Sequence, residues 1–166
     1  MAANGRGARP VEIRTLCFIR DGDRVLLQRK RRGINKGLFN APGGKVEPGE
    51  DPYDGCLREV REETGLDLPH ARLRAIVTVN ARDTGTQWFL FTFVADRPAG
   101  EPGPIADDEG ELRWVRITEI TDLPVVSDIP LLLPHLWSGE SGVLMARIDC
   151  ANDEADSRIA SRLLMS

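Results

Sequence analysis

Apolar positions alternate from Glu12 to Ile19 and again from Arg24 to Gln28, on either side of Asp21-Gly22-Asp23. Asp-Gly between two such runs favours a tight hairpin, so two strands are predicted there. The pattern then breaks. Residues 30–50, KRRGINKGLFNAPGGKVEPGE, hold five Gly and two Pro, which predicts a loop with a short strand around Leu38–Asn40. A helical period takes over from Pro52 to Thr64. Asp51 suits the N-cap, Pro52 the first helical position, and Gly65 the left-handed stop. Tyr53, Cys56, Leu57 and Val60 fall at i, i+3, i+4 and i+7, a predicted core stripe.

Strands follow at Leu73–Asn80 and Trp88–Asp96, the second (WFLFTFVAD) aromatic enough to fill core positions on its own. Arg97–Glu111 is rich in Pro, Gly and acid and reads as loop. Leu112–Ile117 alternates as a strand, Ile117–Asp122 begins a short helix, and Asp128–Trp137 is a second helix with Pro134 disturbing it. Val143–Asp149 and Ser157–Leu164 are predicted to pair as a hairpin. The sum is an α/β fold, a mixed β-sheet packed with helices. It is expected as one domain over 11–137, with a flexible tail at 1–10 and a C-terminal extension at 138–166 on the same domain.

Charge narrows the classes. Asp and Glu exceed Lys and Arg to give a net −4 and pI near 5.3, which disfavours electrostatic coating of nucleic acid, although a local basic patch remains compatible. No stable nucleic-acid partner is expected. No apolar run approaches the ~20 residues that span a bilayer, and MAANGRGARP lacks the apolar stretch of a secretory signal, so a cytoplasmic protein without membrane attachment is expected. Cys17, Cys56 and Cys150, odd in number and widely spaced, read as buried reduced thiols.

The chemistry lies in the predicted helix and the loop before it. Glu59, Glu62 and Glu63 sit at i, i+3 and i+4, where like charges repel by roughly a few tenths of a kcal/mol. Mixed-charge faces such as REVREE are often merely solvated. Beside a Gly-rich loop, however, the cluster asks for counter-charge, which hard Mg²⁺ or Mn²⁺ supplies through carboxylate oxygen. From Gly44, five residues lead to Glu50, seven more to Arg58-Glu59-Val60, one to Glu62-Glu63 and one to Gly65-Leu66. These nine constrained positions match GX5EX7REUXEEXGU, with U aliphatic, and the chain therefore resembles the Nudix hydrolase superfamily.

That resemblance implies a Nudix fold with a catalytic loop–helix–loop at about 43–66. It implies Mg²⁺, with Mn²⁺ as a substitute, held by Glu59, Glu62, Glu63 and the Gly43 carbonyl. Arg58 would orient the acids through Glu50, and either Glu59 or Glu63 would be the base. Upstream and downstream segments resemble the MutT-like group that hydrolyses oxidised purine nucleoside triphosphates. By that resemblance Asn40 and Asp128 contact the purine, and Glu109 lies on a loop near the metals. Lys30 and Lys45 are candidate phosphate contacts, Lys45 equally a partner for a nearby acid. An Asn that bonds its own backbone and an Asp that caps a helix are the plain alternatives for Asn40 and Asp128. Val126 and Ile34 depart from the group, standing where some members carry Trp and Phe. The implied activity is pyrophosphohydrolysis of an 8-oxo-dGTP-like nucleotide to its monophosphate, a nucleotide-pool sanitising reaction. Alternatives are a nucleotide sugar or ADP-ribose as substrate, or a non-catalytic nucleotide-binding regulator.

Overall fold

The computed structural model describes residues 11–33, 35–81, 85–103, 110–139 and 141–150, and the backbone course of 158–165. The expected tail at 1–10, Ile34 and Glu109 lie outside the described residues. Eight strands form one mixed sheet: β1 (Val11–Asp21), β2 (Arg24–Arg29), β3 (Phe39–Asn40), β4 (Arg72–Ala81), β5 (Gln87–Asp96), β6 (Glu111–Arg116), β7 (Val143–Cys150) and β8 (Arg158–Met165). Their order is β3-β2-β1-β5-β4-β7-β8, with β6 paired along β2.

The β1–β2 hairpin turns at Gly22, whose φ of 62° suits glycine. β1 pairs with β2 only at Arg20 and Asp21, because its main partner is β5, parallel from Val11 to Arg20. β4 likewise pairs antiparallel with β5 and parallel with β7. The long β1–β5 ladder explains why β1 extends beyond the predicted Glu12–Ile19.

Helix α1 (Pro52–Thr64) forms over the predicted residues. Asp51 accepts hydrogen bonds from the amides of Tyr53 (2.8 Å) and Asp54 (2.9 Å), while Gly65 stops the helix at φ 71°. Its core stripe is narrower than the spacing suggested. Cys56 and Val60 are fully buried against Cys17, Ile19, Leu26 and Phe93, whereas Leu57 is half-buried and Tyr53 stays exposed, edge-on to Phe93. The buried face continues instead through Glu63 and Thr64. Replacing Asp51 by Ala leaves two helix amides without their acceptor and is expected to cost about 1 kcal/mol in denaturant unfolding. An unchanged midpoint would show that the cap contributes nothing.

The opposite face of the sheet carries the larger core, closed by a 3-10 turn (Ile117–Asp122) and α2 (Ile129–Leu136). α2 is pinned to β4 where the β4–β5 register shifts at Arg74. The His135 ring donates through Nε2 to the Arg74 carbonyl (2.9 Å), and Arg74 donates to the His135 carbonyl (3.1 Å). Cys17 and Cys56 are buried free thiols; Cys150 is only half-buried, because it ends β7 near the sheet margin. Among the described residues no helix is long and apolar enough to cross a membrane.

Candidate active site

The Gly-rich loop is held as an extra strand along the free edge of β1. Thr15 N–H donates to the Gly44 carbonyl (2.8 Å), Cys17 N–H to that of Pro42 (2.8 Å), and Val46 N–H to that of Ile13 (3.1 Å). Gly43, between the two bonded carbonyls, turns its amide to Glu63 Oε2 at 2.8 Å instead. Its φ is 150°, and a Cβ there would stand 2.1 Å from the Thr15 carbonyl oxygen. At Gly44 a Cβ would fall 2.4–2.5 Å from the carboxyl atoms of Glu59. Two bare glycines thus let backbone and carboxylates meet where no side chain fits.

α1 presents the acids from below this loop. Glu59 and Glu63 point inward, with side chains 15% and 7% exposed, while Glu62 faces outward at 57%. Arg58 ties the group together. It donates to Glu50 (3.0 Å), Glu59 (2.9 Å), Glu62 (3.1 Å) and the Lys45 carbonyl (3.0 Å), so the expected Arg58–Glu50 pair is one arm of a larger hub. Glu50 in turn accepts from the Glu47 amide and lies against Gly55, where a Cβ would stand 2.9 Å from its Oε2. The Arg58 guanidinium holds Glu50 below the usual carboxylate range. Burial pushes Glu59 and Glu63 the other way, upward, against the opposing pull of Arg58 and Lys30. Desolvated, ionised carboxylates of this kind favour any cation that reaches them.

Lys30 is drawn into this centre: its Nζ lies 2.6 Å from Glu63 Oε1. Lys45 is not. Its ammonium pairs with Glu12 (3.1 Å) on the exposed side of β1, because the strand-like course of 44–46 turns it outward. Asn40 lies on β3, and its Oδ1 accepts the amide of Ala41 (2.9 Å), the plain local bond. Asp128 stands at the start of α2 without a capping bond from its side chain, since its backbone is already helical at φ −78°, ψ −23°. The backbone of 124–126 flanks β3 through Phe39, which brings the approach to Asp128 alongside the strand of Asn40.

Two polar side chains escaped the sequence reading. Thr15 is 1% exposed and, among the described residues, its hydroxyl has no hydrogen-bond partner, beside the Gly43 turn. Gln28 is fully buried with both amide atoms unpartnered among the described residues, and lies opposite Asn40 in the β2–β3 register. The only sequence signal was a polar residue inside an apolar run. The acidic composition also concealed an open cleft of about 320 Å³ lined by Arg29, Lys30, Arg31, Lys36, Gly37 and Glu111, a basic groove that net charge gave no hint of.

The donor set is carboxylate and backbone oxygen, the chemistry of hard divalent cations. Among the described residues no three acids converge on one point; Lys30 occupies Glu63, and Arg58 occupies Glu59 and Glu62. The residues therefore suit Mg²⁺ or Mn²⁺ in kind, with side-chain rotation needed to gather them.

Comparison with known proteins identifies the family of the fold. The NUDIX domain family matches residues 10–136. The uncharacterized Nudix hydrolase YvcI of Bacillus subtilis is 35% identical over 129 residues, 76% of this chain and 79% of its own length. The mouse oxidized purine nucleoside triphosphate hydrolase is 31% identical over 123 residues, covering 72% of this chain and 78% of that protein. Among solved structures, the mutator MutT protein of Bacillus halodurans superimposes with a TM-score of 0.75 at 32% identity, covering 92% of this chain and 97% of the other.

Proposed function

We propose a substrate and a division of labour for a chain that belongs to the Nudix hydrolase family, enzymes that act on phosphoric anhydrides. The substrate is an oxidised purine nucleoside triphosphate of the 8-oxo-dGTP kind, hydrolysed to the monophosphate and pyrophosphate. The observation that carries the chemistry is the pair of desolvated carboxylates, Glu59 and Glu63, against the bare backbone of Gly43 and Gly44. Support for the substrate comes from the likeness to the mouse oxidized purine nucleoside triphosphate hydrolase.

Glu59, Glu63, the Gly43 carbonyl and, at the rim, Glu62 would hold the divalent ion. Such an ion would supply polarisation of the phosphate and a lower pKa for the attacking water. The rest falls to the chain itself. Glu63, buried at the loop and holding the Gly43 amide at 2.8 Å, accepts the proton of the water. Arg58 keeps Glu59 and Glu62 oriented through its simultaneous grip on Glu50. Lys30, bordering both Glu63 and the basic cleft, takes phosphate charge. The Asn40 amide, which both donates and accepts, and the Asp128 carboxylate read the base edge.

A Mg²⁺ assay over canonical, oxidised and sugar-linked nucleotides, following phosphate and pyrophosphate separately, tests this reading. Pyrophosphate release from 8-oxo-dGTP is expected well above that from dGTP. Asn40→Ala is expected to erase about 1–3 kcal/mol of that discrimination. Equal or preferred hydrolysis of dGTP would remove the oxidised purine as substrate, and faster turnover of ADP-ribose or a nucleotide sugar would replace it.

A further inference from the structure

Lys30 follows directly on β2, and its backbone is fixed from both directions. Its amide donates to the Leu38 carbonyl (3.0 Å) and its carbonyl accepts from Gly37 (2.8 Å). Lys30 borders the open cleft lined also by Arg29, Arg31 and Lys36, and its ammonium reaches Glu63 at 2.6 Å. Glu63 has both oxygens engaged, one by Lys30 and one by the Gly43 amide. An ammonium thus stands on the carboxylate that the proposed function assigns to a divalent cation. A lysine suits such a place, being a compact charge on a flexible stem with donors and no acceptor.

We propose that Lys30 is a displaceable internal counter-ion. It holds Glu63 in the metal-free protein, yields it to the arriving divalent cation, and is thereby released toward the phosphates in the adjoining cleft. Lys30 then couples metal loading to substrate binding, and the inference rests on the reading of Glu63 as a metal-binding carboxylate. The physical basis is the cost of leaving one member of a buried ion pair alone. Without Lys30, Glu63 has lost its cation and the incoming metal has lost a like-charged competitor. Both changes favour metal.

The test titrates Mn²⁺ alone into the whole protein without nucleotide, reading free Mn²⁺ by electron paramagnetic resonance. Lys30→Gln, neutral and still able to donate, is expected to bind Mn²⁺ about tenfold tighter than the unaltered protein. Its melting temperature should also rise more on adding Mn²⁺, as binding to the folded state requires. Unchanged or weaker Mn²⁺ binding overturns the proposal. Lys30→Arg keeps the charge and should bind Mn²⁺ as the unaltered protein does; tightening there would equally overturn it. Lys30→Met, neutral with a similar stem, serves if Lys30→Gln gives no cooperative melt. Adding Glu63→Gln to the Lys30→Gln protein separates the two levels of the argument. Mn²⁺ binding indifferent to Glu63 would refute the metal assignment itself, whereas binding that needs Glu63 but ignores Lys30 would refute only the exchange.

Discussion

Glu63→Gln is expected to lower hydrolysis about a thousandfold, within the range ascribed to a general base, while leaving a cooperative melt. The shape of the side chain is kept, and its remaining oxygen can still accept the Gly43 amide, the 2.8 Å bond that anchors the loop. What disappears is the negative charge, and with it the means of accepting a proton or binding a cation. The Lys30 ammonium, now 2.6 Å from a group that carries no charge, loses its ion-pair partner. Against that, an amide avoids the desolvation that pushes the carboxyl upward. The two effects on stability oppose one another, so the fold should survive. Turnover within a fewfold of normal, measured with Mg²⁺ and the substrate that leads the panel, would sink the assignment of this residue.

How much of this was legible beforehand depends on the range of the interactions involved. α1 was readable to the residue because Asp51, Pro52 and Gly65 write its limits locally. The carboxylate set was readable because the spacing of Arg58, Glu59, Glu62 and Glu63 is itself the geometry of one helix. The parallel pairings of β1 with β5 and of β4 with β7 had no such local mark; they follow from long-range packing. Pairing of Lys45 with an acid was one of its two readings, but which acid was unreadable for a similar reason. Its partner, Glu12, is distant in sequence and reaches it only because the loop lies along β1. Tyr53 fits the helical period yet stays exposed, since period says which residues share a face and not how wide the covering surface is. Gln28, read only as the last residue of a strand, is fully buried, and nothing local in the sequence marks that.

The second large effect is expected at Gly43, and it is one of folding. Gly43→Ala should destabilise the protein by roughly 3–5 kcal/mol in denaturant unfolding, the range reserved for mutations that force the backbone itself to move. The added Cβ meets the Thr15 carbonyl at 2.1 Å and the Leu16 Cα at 2.9 Å, and the φ of 150° disfavours any side chain. Thr15 and Leu16 cannot retreat without disturbing their pairing with Phe91 and Thr92 of β5. Gly44→Ala makes an instructive contrast, because its Cβ meets the carboxyl end of Glu59, a side chain that can swing away. Its expected outcome is a folded protein whose activity falls because Glu59 is displaced. A Gly43→Ala protein that melts within a degree or two of the parent would show that the loop has a freedom this packing denies it.

The course of the glycine loop along β1 also bears on how the molecule keeps to itself. β1 pairs with β2 for only two residues, so without residues 42–46 much of its length would offer unpaired amides and carbonyls. Such open strand margins recruit other chains and seed aggregates. The segment that meets the buried Glu59 and Glu63 is therefore also the guard on that margin, with Lys45 and Glu12 setting a charged pair at its rim. Variants that loosen the loop should lose solubility along with activity, because the same backbone hydrogen bonds serve both.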